Sequence, residues 1–347
     1  MKKITLLVLS VLSLSGWMNA QETTFKGFAN IDYNAANHGK NNFILGEYDQ
    51  YITSKITDRI SFLGEAVMAH DGTSFGVDVE RIIIKYEIQD YFYIRAGKFH
   101  APLGFWNNAY HHGTVIQPTI SRPLAVRYED DGGLLQIHET GFWLAGDNIG
   151  KLGFGYDLVV SNGIGSTPVT DNNSSKAITT TLRFNPIENL KFGVTGYFDN
   201  IASSVQSIAE GGLGFTSNPV GRDLTHQNLS GFVSFNNNKL QVIGEYYNIQ
   251  NKNTELGTKT TQAGFLYAGY KLFGELTPYA RYDFINTQAG DVYYSNQQTS
   301  MITGGLRYDF AFNANVKLEY SHYDAKNLNA GSSVITDNVR LQYSIGF

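Results

Sequence analysis

The stretch NVRLQYSIGF, residues 338–347, carries an apolar or aromatic side chain at every second position. These residues are Val339, Leu341, Tyr343, Ile345 and Phe347, and the positions between them are polar or glycine. Alternation with period two indicates a β-strand that has one apolar and one polar face. Such a strand would favour aggregation if its apolar face were left in water, so we expect an apolar environment to cover that face.

The same alternation recurs along most of the chain. The clearest segments are 152–160, 178–184, 190–198, 240–246, 276–284, 302–310 and 316–320. In the segment 302–310, Leu306 and Tyr308 alternate with Arg307 and Asp309, so the charges fall on one face only. Segments of roughly ten residues with this pattern are typical of transmembrane barrel strands, which have one face toward lipid and one toward a watery lumen.

The start of the chain predicts export. Two lysines precede the apolar run 4–14, and Ala20 follows as a plausible cleavage position. We therefore interpret residues 1–20 as a secretory signal peptide and residues 21–347 as one folded domain. No later segment is long and apolar enough for a transmembrane helix, so a place in the membrane would require a closed barrel.

Composition excludes several classes of function. The net charge is −5, and it becomes −7 when Lys2 and Lys3 are removed, which disfavours nucleic-acid binding. The chain has no cysteine, so disulfides, thiolate metal sites and cysteine nucleophiles are excluded.

The connections between the alternating segments set the topology. Seven short turns alternate with eight longer polar loops, which predicts an all-β, antiparallel transmembrane barrel of about 16 strands. A soluble β-sandwich is the alternative. Against it, nearly every strand has charges on its polar face, and many of the 22 Tyr and 22 Phe stand at segment ends, where interfacial girdles would need them. The stretch 134–144 is interpretable as one bent strand or as two.

The third long loop, residues 100–131, differs from the others. It is rich in apolar residues and contains three of the seven prolines, whereas the other loops are rich in Asn, Ser, Thr and Gly. We expect so apolar a loop to fold inward against the barrel wall and narrow the lumen. An outer lid or a contact between subunits is the alternative.

The strand that leads into this loop, IRAGKFHAPLGFW, resembles the Gram-negative porins. It is most similar to the phosphate-selective porin O and P family, through Gly97, Lys98, Phe99, Pro102 and Gly104. The resemblance implies a trimeric diffusion channel whose third loop forms the constriction. It does not imply phosphate as the solute, because the family relies on a dense basic lining and the lining inferred here is mixed.

Charged and histidine side chains of the strands and the third loop are the candidate pore residues. The predicted lining and constriction set is Arg81, Lys85, Arg95, Lys98, His111, His112, Arg122, Arg127, Glu129, Asp130 and Asp131. Arg81, Lys85 and Arg95 stand on adjacent strands and could form one basic patch, with the three acids closing the loop opposite. Opposed charges of this kind would orient solutes and bias ion passage, although lumen charges also commonly pair with each other and hydrate the wall.

No catalytic, cofactor or metal site is predicted. His111 and His112, with His100 in the same region, could ligate zinc, but no acid or cysteine completes a recognisable spacing. The pairs His70–Asp71 and His322–Asp324 lack flanking motifs of a hydrolase.

The sequence thus predicts a non-enzymatic outer-membrane porin for small hydrophilic solutes and ions. The expected partners are the outer-membrane lipid bilayer, those solutes and two further copies of the chain in a homotrimer. The alternative is a barrel that serves as an adhesion or assembly platform through its surface loops.

Overall fold

The computed structural model describes residues 22–37, 41–70, 74–128, 133–164, 171, 173–208, 215–294, 297–327 and 331–347. The strands are β1 Glu22–Ala36, β2 Asn42–Lys55, β3 Ile60–His70, β4 Phe75–Gln89, β5 Phe92–His100, β6 His138–Ile149, β7 Phe154–Ser161, β8 Ala177–Ile187, β9 Leu190–Ile201, β10 Gln206–Ile208, β11 Phe215–Pro219, β12 Leu224–Asn236, β13 Leu240–Asn253, β14 Gly257–Tyr270, β15 Leu276–Thr287, β16 Gln297–Ala311, β17 Ala314–Asn327 and β18 Ser333–Gly346. One helical turn, α1 Trp106–Ala109, and one 3₁₀ turn, Leu124–Val126, lie between β5 and β6.

Sixteen of these strands form one closed antiparallel barrel, which confirms the predicted fold. Each strand pairs with its sequence neighbour, except that β9 pairs with β12 across the separate two-stranded hairpin of β10 and β11. The stretch 134–144 is one strand only from His138 onward, because residues 134–137 belong to the preceding loop. The third loop therefore spans 101–137 and exceeds the predicted 100–131 at its C-terminal end.

The barrel closes where the sequence pattern is clearest. β1 pairs with β18 in the register Phe28 opposite Gly346. The N–H of Phe347 donates to the carbonyl of Gly27 at 2.9 Å, and the N–H of Gly27 donates back at 2.8 Å. The apolar set of residues 339–347 lies on the outer face, where Phe347 is 53% exposed in the isolated chain. Pairing leaves no free edge at this strand, and the outer face is the surface that lipid would cover.

The inner face is less uniformly polar than the alternation predicts. Along β13 and β14, the inward side chains include Ile243, Tyr247 and Phe265, all almost fully buried. They belong to one large apolar cluster that contains much of the third loop. The inner face of β13 and β14 is therefore mixed, because the charged Glu245 lies inward, as the alternation predicts, among apolar side chains that pack with the third loop.

Among the described residues, no helix has the length and apolar character needed to cross a bilayer. Residues 1–20 lie outside the described residues, so the signal peptide and the start of the mature domain stay predictions.

Candidate functional site

Loop 3, defined here as residues 101–137, lies against inward-facing side chains of the barrel wall. At its start, the N–H of Trp106 donates to Oε1 of Glu245 on β13 at 2.6 Å. The Trp106 side chain is fully buried, with its ring 5.8 Å from that of Phe265. Two positions before Trp106, Gly104 has φ +73°, and a Cβ there would lie 1.9 Å from Oε2 of Glu245. The conformation and the space both require glycine.

A second carboxylate holds the middle of loop 3. The N–H groups of Ile120 and Ser121 donate to Oε2 and Oε1 of Glu319 on β17, at 2.9 and 3.0 Å. The hydroxyl of Tyr279 on β15 donates to the same Oε2 at 3.0 Å. Glu319 is 1% exposed, so the charge of its carboxylate is balanced by these donors and not by water.

Two arginines of the wall bind loop carbonyls in the same region. Arg281 on β15 donates to Oγ1 of Thr119 at 2.7 Å and to the carbonyl of Ser121 at 2.6 Å, and it pairs with Asp283 at 2.8 Å. Arg307 on β16 donates to the carbonyls of Gln117 and Val115, both at 2.9 Å. The wall thus satisfies the backbone of loop 3 with carboxylates for its donors and guanidinium groups for its acceptors.

A cavity of about 590 Å³ lies at the end of the barrel that carries the short turns. Arg81, Lys85 and Arg95 all line it, so the predicted basic patch does come together. Its charges are partly compensated: Arg81 pairs with Glu65, and Lys85 pairs with Glu87. Arg95 lies over the ring of Trp143, 4.2 Å from its centroid.

A second cavity of about 440 Å³ lies on the other side of loop 3. Arg122 and Arg127 of loop 3 line it together with Arg340 of β18, and Asp32 and Glu47 face them. Arg122 is fixed in place: it donates to the carbonyl of Val126 at 3.0 Å and stacks on Tyr128, 4.1 Å from the ring centroid. This cavity therefore has both signs of charge, as the mixed lining predicts.

Three of the predicted pore residues line neither cavity. Lys98 is 8% exposed and donates to the carbonyl of Val79 at 2.5 Å. His111 and His112 are 2% and 7% exposed and are packed between loop 3 and the wall. Burial lowers the pKa of His111 well below its usual value, so the ring is neutral at neutral pH.

His112 behaves in the opposite way. Burial by itself would lower its pKa, but hydrogen bonds and charge from Glu47 and Glu80 outweigh burial and raise the pKa to about 10. Nδ1 of His112 is 3.2 Å from Glu47, and Nε2 is 3.2 Å from Oε1 of Glu80. His112 is therefore an imidazolium that links loop 3 to β2 and β4.

Glu129, Asp130 and Asp131 lie outside the described residues, so their placement opposite the basic patch stays a prediction. Of the two weighed catalytic pairs, Asp71 and the side chain of His70 also lie outside. His322 contacts Asp337 through Nδ1 at 2.7 Å, so its acid partner is on the neighbouring strand.

Two residues that sequence reasoning missed are Glu80 and His138. Glu80 is the extra residue of a β-bulge, because Glu65 pairs with Arg81 while the next residue, Ala66, pairs with Val79. The bulge lets Glu80 and Arg81 both point inward, which strict alternation forbids. His138 begins β6 directly opposite His100 on β5. The sequence does show His100 and His138 on either side of the long loop, which could have suggested that they meet. Only the pairing of β5 with β6 brings them together.

Comparison with known proteins bears on the fold alone. No protein-family model matches the chain, and no curated protein matches it either. Among solved structures, the loop L8 deletion mutant of the Vibrio cholerae outer membrane protein OmpT is similar with a TM-score of 0.69 and 14% identity, over 95% of this chain and 100% of that one.

Two channels are similar to nearly the same degree. The anion-selective porin from Comamonas acidovorans gives a TM-score of 0.66 at 12% identity, over 94% of this chain and 100% of the porin. The outer membrane channel DcaP of Acinetobacter baumannii gives 0.66 at 12%, over 94% and 97%. The chain therefore has the fold of Gram-negative outer-membrane barrels, and the resemblance to the phosphate-selective family stays a prediction.

Proposed function

We propose that this protein is an outer-membrane porin, a passive pore for small hydrophilic solutes and ions. The observation that carries the proposal is the pair of charged cavities, about 590 and 440 Å³, on the two sides of a loop bound to the inner wall. A water-filled barrel needs no energy source, and its narrowest part sets the size limit.

Loop 3 is the proposed constriction. Its hydrogen bonds to Glu245 on β13, Glu319 on β17 and Arg307 on β16 support the predicted inward fold, because all three are inward side chains of the wall. Several anchors of this kind would keep the loop in one position, as a selective opening requires.

Charge would then tune which ions pass. Both cavities carry charges of both signs: Arg81, Lys85 and Arg95 line the first together with acids such as Glu87, and arginines and acids also line the second. Between low-dielectric walls such groups act over longer distances than they do in bulk water, so they bias ion entry. The phosphate preference of the similar family is not part of the proposal.

Single-channel recording in a planar bilayer tests this function. We expect steady open-channel conductance in salt, and a larger conductance after deletion of residues 105–125 from a barrel that still folds. A matched deletion control is the segment 206–219, whose described strands β10 and β11 lie outside the barrel sheet. Silence from correctly folded protein would overturn the pore, and equal conductance before and after the 105–125 deletion would overturn the constriction.

The proposed surroundings are the outer-membrane bilayer and a homotrimer. The outer face of the barrel is apolar along most strands, with side chains such as Phe25, Ile84 and Leu266 more than half exposed in the isolated chain. A solved structure of Vibrio cholerae OmpT, similar with a TM-score of 0.66, is described as a trimer form. Crosslinking of the detergent-extracted protein would give a trimer band if the assembly proposal is right.

The surface platform is the second candidate. The hairpin of β10 and β11 forms a two-stranded sheet of its own in the longest outer connection after loop 3, which a binding surface could use. Conductance separates the two candidates, because a platform needs no open lumen. No enzymatic activity is proposed.

A further inference from the structure

Four ionisable side chains from four separate segments meet inside the barrel. They are Glu80 of β4, His100 of β5, His111 of loop 3 and His138 of β6, and one ligand atom from each lies within 4.8 Å of every other. We propose that this cluster binds one divalent transition-metal ion of the Zn²⁺ type, which ties loop 3 to the barrel wall. The inference goes beyond the proposed pore, since it assigns a metal site where the sequence predicted none.

The geometry suits a small metal ion. Nε2 of His138 is 2.6 Å, and Nε2 of His111 is 3.7 Å, from Oε2 of Glu80. In a tetrahedral site with zinc bonds of about 2.0–2.1 Å, neighbouring ligand atoms are about 3.3 Å apart. Because no two of the four ligand atoms are more than 4.8 Å apart, changes in separation of at most about 1.5 Å complete the site.

The hydrogen bonds around Asn107 fix which nitrogen of His111 carries the proton. Nδ2 of Asn107 donates to the carbonyls of Ala101 and Ile137, at 2.8 and 3.1 Å. Its Oδ1 is therefore the acceptor for Nδ1 of His111 at 2.7 Å, so Nδ1 holds the proton of the neutral ring. Nε2 is left as a bare lone pair directed toward a carboxylate, an arrangement that a bound cation stabilises.

Two of the ring nitrogens that face the cluster have no protein partner among the described residues. Nε2 of His100 and Nε2 of His111 are buried and have no hydrogen-bond partner among the described residues. The two rings are in contact, with centroids 3.7 Å apart and planes tilted by 33°. Buried polar atoms normally have partners, and unpaired nitrogens that converge on one point are what a metal site leaves when only protein atoms are considered.

A second set of contacts orients the proposed ligands. Oε1 of Glu80 is held by Nε2 of His112 at 3.2 Å, which leaves Oε2 for the metal. His112 in turn contacts Glu47 at 3.2 Å. Asn107 plays the same part for His111. Outer partners of this kind are a regular feature of metal-binding histidines and carboxylates.

The ligand set indicates which class of ion binds and that the ion has a structural role. Three imidazoles and one carboxylate suit Zn²⁺ and related transition-metal ions, whereas Ca²⁺ and Mg²⁺ prefer oxygen ligands. All four side chains are at most 7% exposed, and all four positions of a tetrahedron are supplied by protein. A closed site of this kind is structural. Because three ligands belong to wall strands and His111 belongs to loop 3, the ion would fix the loop that the pore depends on.

Metal binding by the full-length barrel in detergent micelles tests the proposal. After chelator treatment, we expect the wild-type protein to take up one equivalent of Zn²⁺ in a calorimetric titration, and Co²⁺ to give the intense visible absorption of a four-coordinate site. No stoichiometric uptake, or a weak six-coordinate Co²⁺ spectrum, overturns the site. These readouts need no bilayer, so they remain informative even if the channel proposal fails.

Substitutions locate the site. His111→Gln and Glu80→Gln should abolish tight binding, and His322→Gln, which alters a histidine outside the cluster, should leave it unchanged. Asn107→Leu should weaken binding by about 10–100-fold, the usual cost of losing an orienting partner. Heat-modifiable migration on gels identifies folded barrels before titration. Binding that survives in both His111→Gln and Glu80→Gln overturns the assignment, and for variants that fail to fold the wild-type Co²⁺ spectrum decides.

Discussion

Glu319 offers the sharpest test of how the wall holds loop 3. Its carboxylate accepts the N–H groups of Ile120 and Ser121 at 2.9 and 3.0 Å, and it is buried. In Glu319→Ala both N–H groups lose their acceptor and are left buried without a partner, which is unfavourable. This segment of loop 3 should therefore detach from the wall. The barrel itself should stay folded, because its backbone hydrogen bonds do not involve this side chain.

The magnitude follows from the number and type of bonds lost. A hydrogen bond to a charged group contributes about 1.5–3 kcal/mol, so the two bonds together contribute about 3–6 kcal/mol to loop docking. Arg281 and Arg307 still hold carbonyls of the same segment, so we expect the lower end, about 3 kcal/mol. Since about 1.4 kcal/mol corresponds to a factor of ten, exchange of the two amide hydrogens should become roughly 100-fold faster.

Amide hydrogen exchange followed by mass spectrometry measures this directly on peptides that cover residues 117–124. The exchange rate in Glu319→Gln should lie between those of wild type and Glu319→Ala, because the side-chain amide oxygen can still accept one hydrogen bond. Glu87→Ala is the matched control, since Glu87 is an inward-facing carboxylate that pairs with Lys85. If exchange in Glu319→Ala stayed within threefold of wild type in a folded barrel, the wall carboxylates would not be what holds the loop.

Two further predictions concern charge and assembly. The double variant Lys85→Gln, Arg95→Gln removes two positive charges from the first cavity and leaves its acids, so reversal potentials in a salt gradient should shift toward cation preference. The control Lys271→Gln, in an exposed turn, should not shift them. An identical potential for wild type and both variants would show that this cavity has no part in selectivity. Phe347→Ser removes the outward aromatic side chain that follows β18, so we expect less folded barrel in outer-membrane fractions. The control is Phe312→Ser, which alters a fully exposed turn residue. Equal levels of folded barrel for both variants would show that Phe347 has no role in assembly.

Much of the fold was predictable because barrel strands repeat one local rule. The outward set of residues 339–347 and the charged set of β15 to β17 follow period two, and the lengths of the connections gave the number of strands. Alternation also placed Arg81, Lys85 and Arg95 together, because the residues of paired strands that face one side are neighbours.

By itself, the sequence thus determined the barrel, its strand number and the outward and inward faces, since these depend on patterns only a few residues long. The tertiary structure alone decided what fills the lumen. Loop 3 packs against an apolar cluster of the wall and binds Glu245 and Glu319, which lie more than 100 positions away. It also brought together Glu80, His100, His111 and His138, because a bulge and strand pairing, which no local spacing encodes, set their positions.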